Sequence, residues 1–336
     1  MDTAFEFVPY GTVLDPRPGT IALDVGMKTL PGVIDHHHPE AEPECAASLV
    51  IKYPNLVLEH IGPAAPRVRI VTHRLPDFDA LSSGFLALKL IETRRVDAFM
   101  EQIGAYAKLA DSASLPDNID LAATPYSILR ALFAGAKMPE AEINVARAAE
   151  GLKLMRFLYA KAEEGYEIVE NRGLYAGIER YERAIRKVEN DYFRYLDDLG
   201  RSRRLLLNLP LTDGSGRRQI DGLAVRNPTS FLLKEWARRD VREPSLGGGF
   251  SLLMTNFWDE RFILGVDPGK GVNLRGLGSL LNDLEAAKRQ AHGRPFPLRW
   301  YEGNCRFFNY RIIDSPQDGT LLTHDEVVDR LYQFGS

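Results

Sequence analysis

The sequence predicts an α/β protein: a mostly parallel sheet in an N-terminal domain, a helical connector, and a second, smaller α/β domain. Three observations carry that expectation. Between residues 20 and about 125, short apolar runs alternate with helical stretches, the pattern of a mostly parallel sheet. From about 125 to 200 the periodicity is helical. Beyond Gly200, strand-like and helix-like segments alternate again.

The elements follow in order. "TIALDVG" (20–26), "GVID" (32–35), "NLVLEHI" (55–61) and "RVRIVTH" (67–73) read as buried strands. "ALSSGFLALKLIETRR" (80–95) and "VDAFMEQIGAYAKLAD" (96–111) carry the apolar spacing of helices. Ile178, Tyr181, Ile185, Val188, Tyr192 and Tyr195 recur at three- and four-residue steps, one apolar stripe of a packed connector helix that Gly200 is expected to stop. "RLLLNLPL", "QIDGLAV", "FSLLMTNFW" and "RFILGVD" read as strands, with helices over 228–240 and 276–291. The expected division is 1–125, 126–200 and 201–336. No internal repeat or low-complexity segment is present.

Composition narrows the function classes. A chain of 336 residues with 45% hydrophobic and 26% charged residues has a globular balance. A net charge of −4 argues against nucleic-acid binding by bulk charge, though not against a local basic cleft. Two cysteines, Cys45 and Cys305, make no disulfide framework, so a reducing, cytoplasmic setting is expected. The N-terminus, with Asp2 and Glu6 and no basic stretch before an apolar core, does not read as a signal peptide. No apolar run reaches the roughly 18 residues a membrane span needs.

Acids and histidines concentrate at the expected strand ends. Asp24 ends "IALD". Asp35, His36, His37 and His38 follow "GVI". His73 ends "RVRIVT", and "HRLPDFD" then supplies Asp77 and Asp79; Asp111 follows "AYAKLA". Five of the seven histidines lie between positions 36 and 73. In open α/β sheets, ligands bind outside the carboxyl ends of the strands, so these residues are expected on one rim. Carboxylates and imidazoles together suit Mn²⁺, and also Mg²⁺, Co²⁺, Fe²⁺ or Zn²⁺. Each residue alone has a plainer reading: a strand-end Asp is usually a turn or helix-cap residue, and "PDFDA" fits the cap of the helix near Leu81.

Together, "DHH" (Asp35, His36, His37) and "HRLPDFD" (His73, Asp77, Asp79) resemble the motifs of the DHH phosphoesterase family. The resemblance covers roughly residues 15–115. Asp24 matches the family's lone strand-end acid, and Asp111 its last motif acid. In the family the His-x-x-x-Asp-x-Asp motif comes first; here the order is reversed, as in a circular permutation. Ligands fixed by strand ends tolerate that, because chain order does not set their positions. The resemblance implies two divalent metals, with His73 and Asp77 on one, His36, Asp79 and Asp111 on the other, and Asp24 bridging. It implies water attack on phosphorus, His37 against the phosphoryl group or as general acid, and Asp35 orienting a histidine. His38 is extra to the motif and is expected to be structural. Arg74 is either a phosphate contact or a solvated side chain.

The C-terminal half is then expected to recognise substrate. Residues 201–242 hold ten Lys or Arg against four Asp or Glu. Arg238 and Arg239 near a helix end equally fit dipole complementarity. Gly247, Gly248 and Gly249 either bring backbone amides to an anion or make a flexible turn. The family's associated domain has such a glycine run, often followed by histidine, where Phe250 stands here. Lys270 and Arg275 precede a helix and make a fair anion site, without the spacing of a nucleotide-binding P-loop. "RWYEGNCRFFNYR" (299–311) reads as a core strand before a base-stacking surface.

The expected reaction is hydrolysis of a phosphodiester in a short oligonucleotide or dinucleotide, with substrate between the domains. The alternatives are a pyrophosphatase or exopolyphosphatase, a metal-free nucleotide sensor, and an assembly protein using helices 141–200. A homodimer stays open, and no membrane partner is expected.

Overall fold

The computed structural model describes residues 2–62, 67–296 and 298–336. It is α/β with two five-stranded sheets. The chain forms two compact units, one of residues 1–188 with Cys305–Phe307, the other of Glu189–Asn304 with Phe308–Ser336. Residues 126–188, read above as a separate helical segment, therefore belong with the first unit.

In the first unit, β1 (Asp2–Val8), β2 (Thr20–Leu23), β3 (Thr29–Leu30) and β4 (Val33–Ile34) precede α1 (Ala46–Lys52), α2 (Asn55–Leu58) and β5 (Arg67–His73). The sheet order is β1-β5-β2-β4-β3. Four neighbouring strands are parallel, and β3 runs antiparallel to β4. The sheet is thus mixed rather than wholly parallel. Ile21, Leu23, Val33, Ile34, Ile70 and Val71 are buried, as expected of strands covered on both faces. The helices α3 (Phe78–Thr93), α4 (Ala98–Asp111), α5 (Pro125–Phe133) and α6 (Glu140–Glu163) complete this unit together with the start of α7 (Glu179–Arg201).

One expectation fails here, and one strand went unread. "NLVLEHI" is not a strand: Pro54, with φ of −58°, starts the short helix α2. A short apolar run bounded by a proline carries no periodicity that separates strand from helix. The segment β1 was not anticipated, although "TAFEFV" alternates.

The second unit contains the rest of α7, then β6 (Arg203–Pro210), β7 (Arg217–Arg226), α8 (Leu233–Arg239), β8 (Leu252–Phe257), β9 (Arg261–Val266), α9 (Leu277–Ala291), β10 (Ile312–Asp314) and α10 (His324–Phe334). Its sheet, in the order β10-β9-β8-β7-β6, is antiparallel except for β7 and β8. Leu207, Met254, Leu264, Leu277 and Leu331 belong to its core. Helix α7 ends at Arg201, one residue beyond the expected stop at Gly200. Its Asp191 and Asp198 are fully buried and accept the amides of residues 229–232, which fixes the approach to α8. The segment 299–311 is not a strand. Asn309 and Tyr310 have φ of 46° and 60°, which a strand cannot accommodate, and only Tyr301 bridges to Asp314. Among the described residues, no helix is long and apolar enough to cross a membrane.

Helix α6 lies close to α3. A Cβ at Gly151 would stand 2.8 Å from Leu81 Cδ1 and 3.2 Å from its Cβ. Gly151→Val is expected to overpack this contact by about 1–3 kcal/mol. The check is thermal unfolding, where each kcal/mol corresponds to roughly 2–4 °C; an unchanged Tm would contradict the close approach.

Candidate metal centre

The parallel strands deliver their carboxyl ends to one rim. Tyr10 lies two residues after β1, His73 ends β5, Asp24 follows β2, and Asp35–His37 follow β4. Asp24 turns the chain out of the sheet with φ of 60°, a left-handed conformation that Asp tolerates better than most residues. Its amide donates to Ile34 O (3.0 Å), tying the turn to the neighbouring strand.

The rim gathers three groups of side chains able to hold a metal ion: Asp24, Asp35, His36 and His37; Asp24, His73 and Asp77; and His36, Asp79 and Asp111. Asp24 is common to the first two, His36 to the first and third. Asp24 Oδ2 lies 3.3 Å from His73 Nε2, and Asp24 Oδ1 lies 3.6 Å from His36 Nδ1. Asp24 Oδ1 is buried without a hydrogen-bond partner among the described residues.

Histidine tautomers sharpen the picture. His73 Nδ1 donates to Arg74 O at 2.8 Å, because a carbonyl only accepts. In the neutral ring, Nε2 is then a lone pair facing the Asp24 carboxylate. A proton or a cation between them satisfies both at 3.3 Å. The donor set fits a divalent metal, since imidazole nitrogen and carboxylate oxygen converge in a largely buried pocket. His36 is fully buried and faces Asp24 and Asp79 with Nδ1 (3.6 and 3.9 Å) and Asp111 with Nε2 (3.4 Å). A neutral imidazole offers one lone pair, so one of the two His36 nitrogens is the atom available to an ion held with these acids.

The acids are held by distinct means. Asp79 caps α1, accepting Ala46 N (2.8 Å) and Ala47 N (2.9 Å) through different oxygens. Asp77 is the N-cap of α3 and accepts Ala80 N (3.1 Å), so the plain helix-cap reading holds for it alongside its place 3.9 Å from His73. Asp35 accepts His37 Nδ1 (2.6 Å) and Met27 N (2.6 Å), which leaves it holding His37. His38 faces outward to Thr29 and Glu40.

Electrostatics follow from burial. Desolvation raises the Asp24 carboxyl well above its ordinary range, and the charges of Asp79, Asp77 and Asp35 raise it further. Desolvation and Asp77 push Asp79 up to about 6, against the opposing help of Cys45 and the α1 amides. Burial also raises Asp35, but the His37 hydrogen bond, the charges of His37 and His36, and the Met27 amide outweigh it and leave it well below the carboxylate range. Burial first, then His37, lower His36 well below the usual imidazole value, so its ring is neutral at pH 7. Burial, then Asp79 and Asp111, keep Cys45 a thiol.

Several neighbours escaped the sequence reading. Tyr10 packs edge-on against His37 and His73, at 4.8 and 5.5 Å between ring centroids. The buried Phe307 ring lies 4.6 Å from the His36 ring. Asn144 and Arg147 of α6 bind the loop between His73 and Asp77. Aromatic side chains near residue 307 were a visible signal; nothing in the sequence links positions 144 and 75.

Other expected site residues lie elsewhere. Arg74 is half exposed and 3.5 Å from Glu140. In the second unit, Gly247, Gly248 and Gly249 all have φ between 72° and 82°. Lys270 Nζ donates to Gly248 O (2.8 Å), so the lysine and the glycine run do come together. A Cβ at Gly249 would stand 1.8 Å from Arg238 O, so close backbone approach alone requires that glycine. Arg275 lies over the Tyr310 ring, at 4.3 Å.

No family model matches the chain, and no curated protein or solved structure shows significant similarity to it.

An acid whose pKa rises on folding stabilises the fold only while protonated. The metal-free protein should therefore lose stability as pH climbs from the ordinary carboxylate value of 3.8 through about 6, the Asp79 value. Asp24→Asn keeps a residue suited to φ of 60° and removes one buried charge. It is expected to raise the Tm of metal-free protein at pH 7 by several degrees, roughly 2–4 °C per kcal/mol relieved, and to abolish the Mn²⁺-dependent rise in Tm expected of the parent. Equal Mn²⁺ stabilisation in both proteins would remove Asp24 from the centre.

Proposed function

We propose that this chain is a dinuclear-metal phosphoesterase that hydrolyses a phosphodiester of a short oligonucleotide or dinucleotide, akin to the DHH phosphoesterases. One observation carries the reading: Asp24 presents one oxygen to His73 and the other to His36, the arrangement a bridging carboxylate needs. His73 and Asp77 would hold one ion, and His36 with Asp79 and Asp111 the other. Mn²⁺ is the first choice, with Mg²⁺, Co²⁺, Fe²⁺ and Zn²⁺ compatible with the same donors. A bound pair supplies Lewis-acid charge to the phosphoryl group and acidifies a water.

The chain's own residues do the rest. Asp35 fixes the His37 ring by its Nδ1 side, so Nε2 is the nitrogen left to exchange a proton with the leaving oxygen. Tyr10 packs the ring from the edge and limits its rotation. In the second unit, the ten Lys or Arg against four Asp or Glu in residues 201–242 support binding of an anionic substrate.

His37→Ala is expected to keep the parent's metal stoichiometry while turnover falls about 10²–10⁴-fold, the range for a lost general acid. Emptying of a metal site in this variant would make His37 a ligand instead.

Assays with Mn²⁺ against dinucleotides, short oligonucleotides, pyrophosphate and polyphosphate test the substrate class. Dinucleotide cleavage that weakens with salt is expected, and Lys270→Ala should raise KM more than it lowers kcat. Preferential cleavage of pyrophosphate would favour the phosphoanhydride reading. Nucleotide binding without metal or turnover would favour a sensor.

A further inference from the structure

The loop "HRLPD" joins His73 to Asp77 and carries a strained residue at its centre: Leu75 has φ of 53°, where a γ-branched side chain is uncommon, and it is 40% exposed. No packing of the Leu75 side chain explains why the loop holds that shape. Helix α6 does. Asn144, only 4% exposed, accepts Leu75 N through Oδ1 at 2.6 Å. Arg147 Nη1 donates to Leu75 O at 3.1 Å and reaches Pro76 O at 3.5 Å. Glu140 lies 3.5 Å from Arg74. Positions 140, 144 and 147 share one face of a helix, so a single helix face grips both backbone groups of the strained residue.

The loop conformation reaches the metal centre in two ways. It presents Arg74 O to His73 Nδ1 at 2.8 Å, which puts the proton there and aims the Nε2 lone pair at Asp24. It also sets Asp77 four residues on, 3.9 Å from the same Nε2.

We infer that Asn144 and Arg147 are positioning residues for the metal site built on Asp24, His73 and Asp77, acting by clamping Leu75 in its left-handed conformation. The inference rests on the metal-centre reading above and deepens it. The clamp touches neither metal donor directly. Its effect is expected chiefly at one of the two sites, because His36 and Asp111 follow from β4 and α4 and Asp79 is also held by the Ala46 and Ala47 amides of α1.

The test is calorimetric titration of full-length, metal-free protein with Mn²⁺, with Asp77→Asn identifying the step that belongs to the His73 site. Asn144→Ala is expected to weaken that step about 10–100-fold, the usual cost of losing an outer-shell partner of a metal ligand, and to leave the other step unchanged. Asn144→Asp keeps the acceptor and should restore most of the affinity. If Asn144→Ala does not fold, Arg147→Met carries the same expectation through the other half of the clamp. Unchanged affinity at both steps, or equal weakening of both, would overturn the inference and leave these residues a structural role only. A parent protein that takes up no Mn²⁺ would instead overturn the metal-centre reading itself.

Discussion

At the rim of the first sheet, buried carboxylates and imidazole nitrogens face one another at distances that would let them share a cation. Asp24 sits between His73 and His36, buried, with three other acids raising its cost of ionisation. A carboxylate buried among like charges is costly to ionise, and a single proton on Asp24 could answer only one of the nitrogens that face it. A divalent ion settles the charge and the lone pairs together. Much of the first unit can be understood as the scaffold that holds these groups together in the absence of the ion.

That scaffold works by backbone amides more than by opposing charges. The first-turn amides of α1 donate to Asp79, the Met27 amide donates to Asp35, and α3 begins with the Ala80 amide donating to Asp77. Each amide stabilises an ionised acid without cancelling its charge, so the acids remain available as ligands. The parallel strands supply the other half: their carboxyl ends lie side by side, so residues far apart in the chain meet without long loops. The order in which the chain visits its strands matters little to this rim, because the sheet order β1-β5-β2-β4 fixes which strand ends are neighbours.

The same arrangement explains what the sequence could disclose. Strand ends could be read because apolar runs stop abruptly at Asp24, Asp35 and His73, and the donors among them fall together in space. The strong periodicity of α3, α4 and α7 survived into the structure almost residue for residue. Short, aperiodic pieces did not: α2 has only four residues, and the left-handed turns at Asn309 and Tyr310 break what looked like a strand. Asn144, Arg147 and Tyr10 were beyond reach for another reason. Their roles depend on tertiary contact, and asparagine on a helix has no local signature of the loop it will hold. Gly249 shows the converse, a residue singled out for a ligand whose glycine is demanded by the carbonyl of Arg238.

The central claim is that two cations belong in this centre and that Asp24 lies between them. Anomalous diffraction at the manganese edge from crystals grown with Mn²⁺ tests it most directly. The account predicts two peaks, one against His73 and Asp77 and one against His36 and Asp79, with an Asp24 oxygen coordinating each. A map with no manganese at this rim, or one whose peaks leave Asp24 uncoordinated, would contradict it.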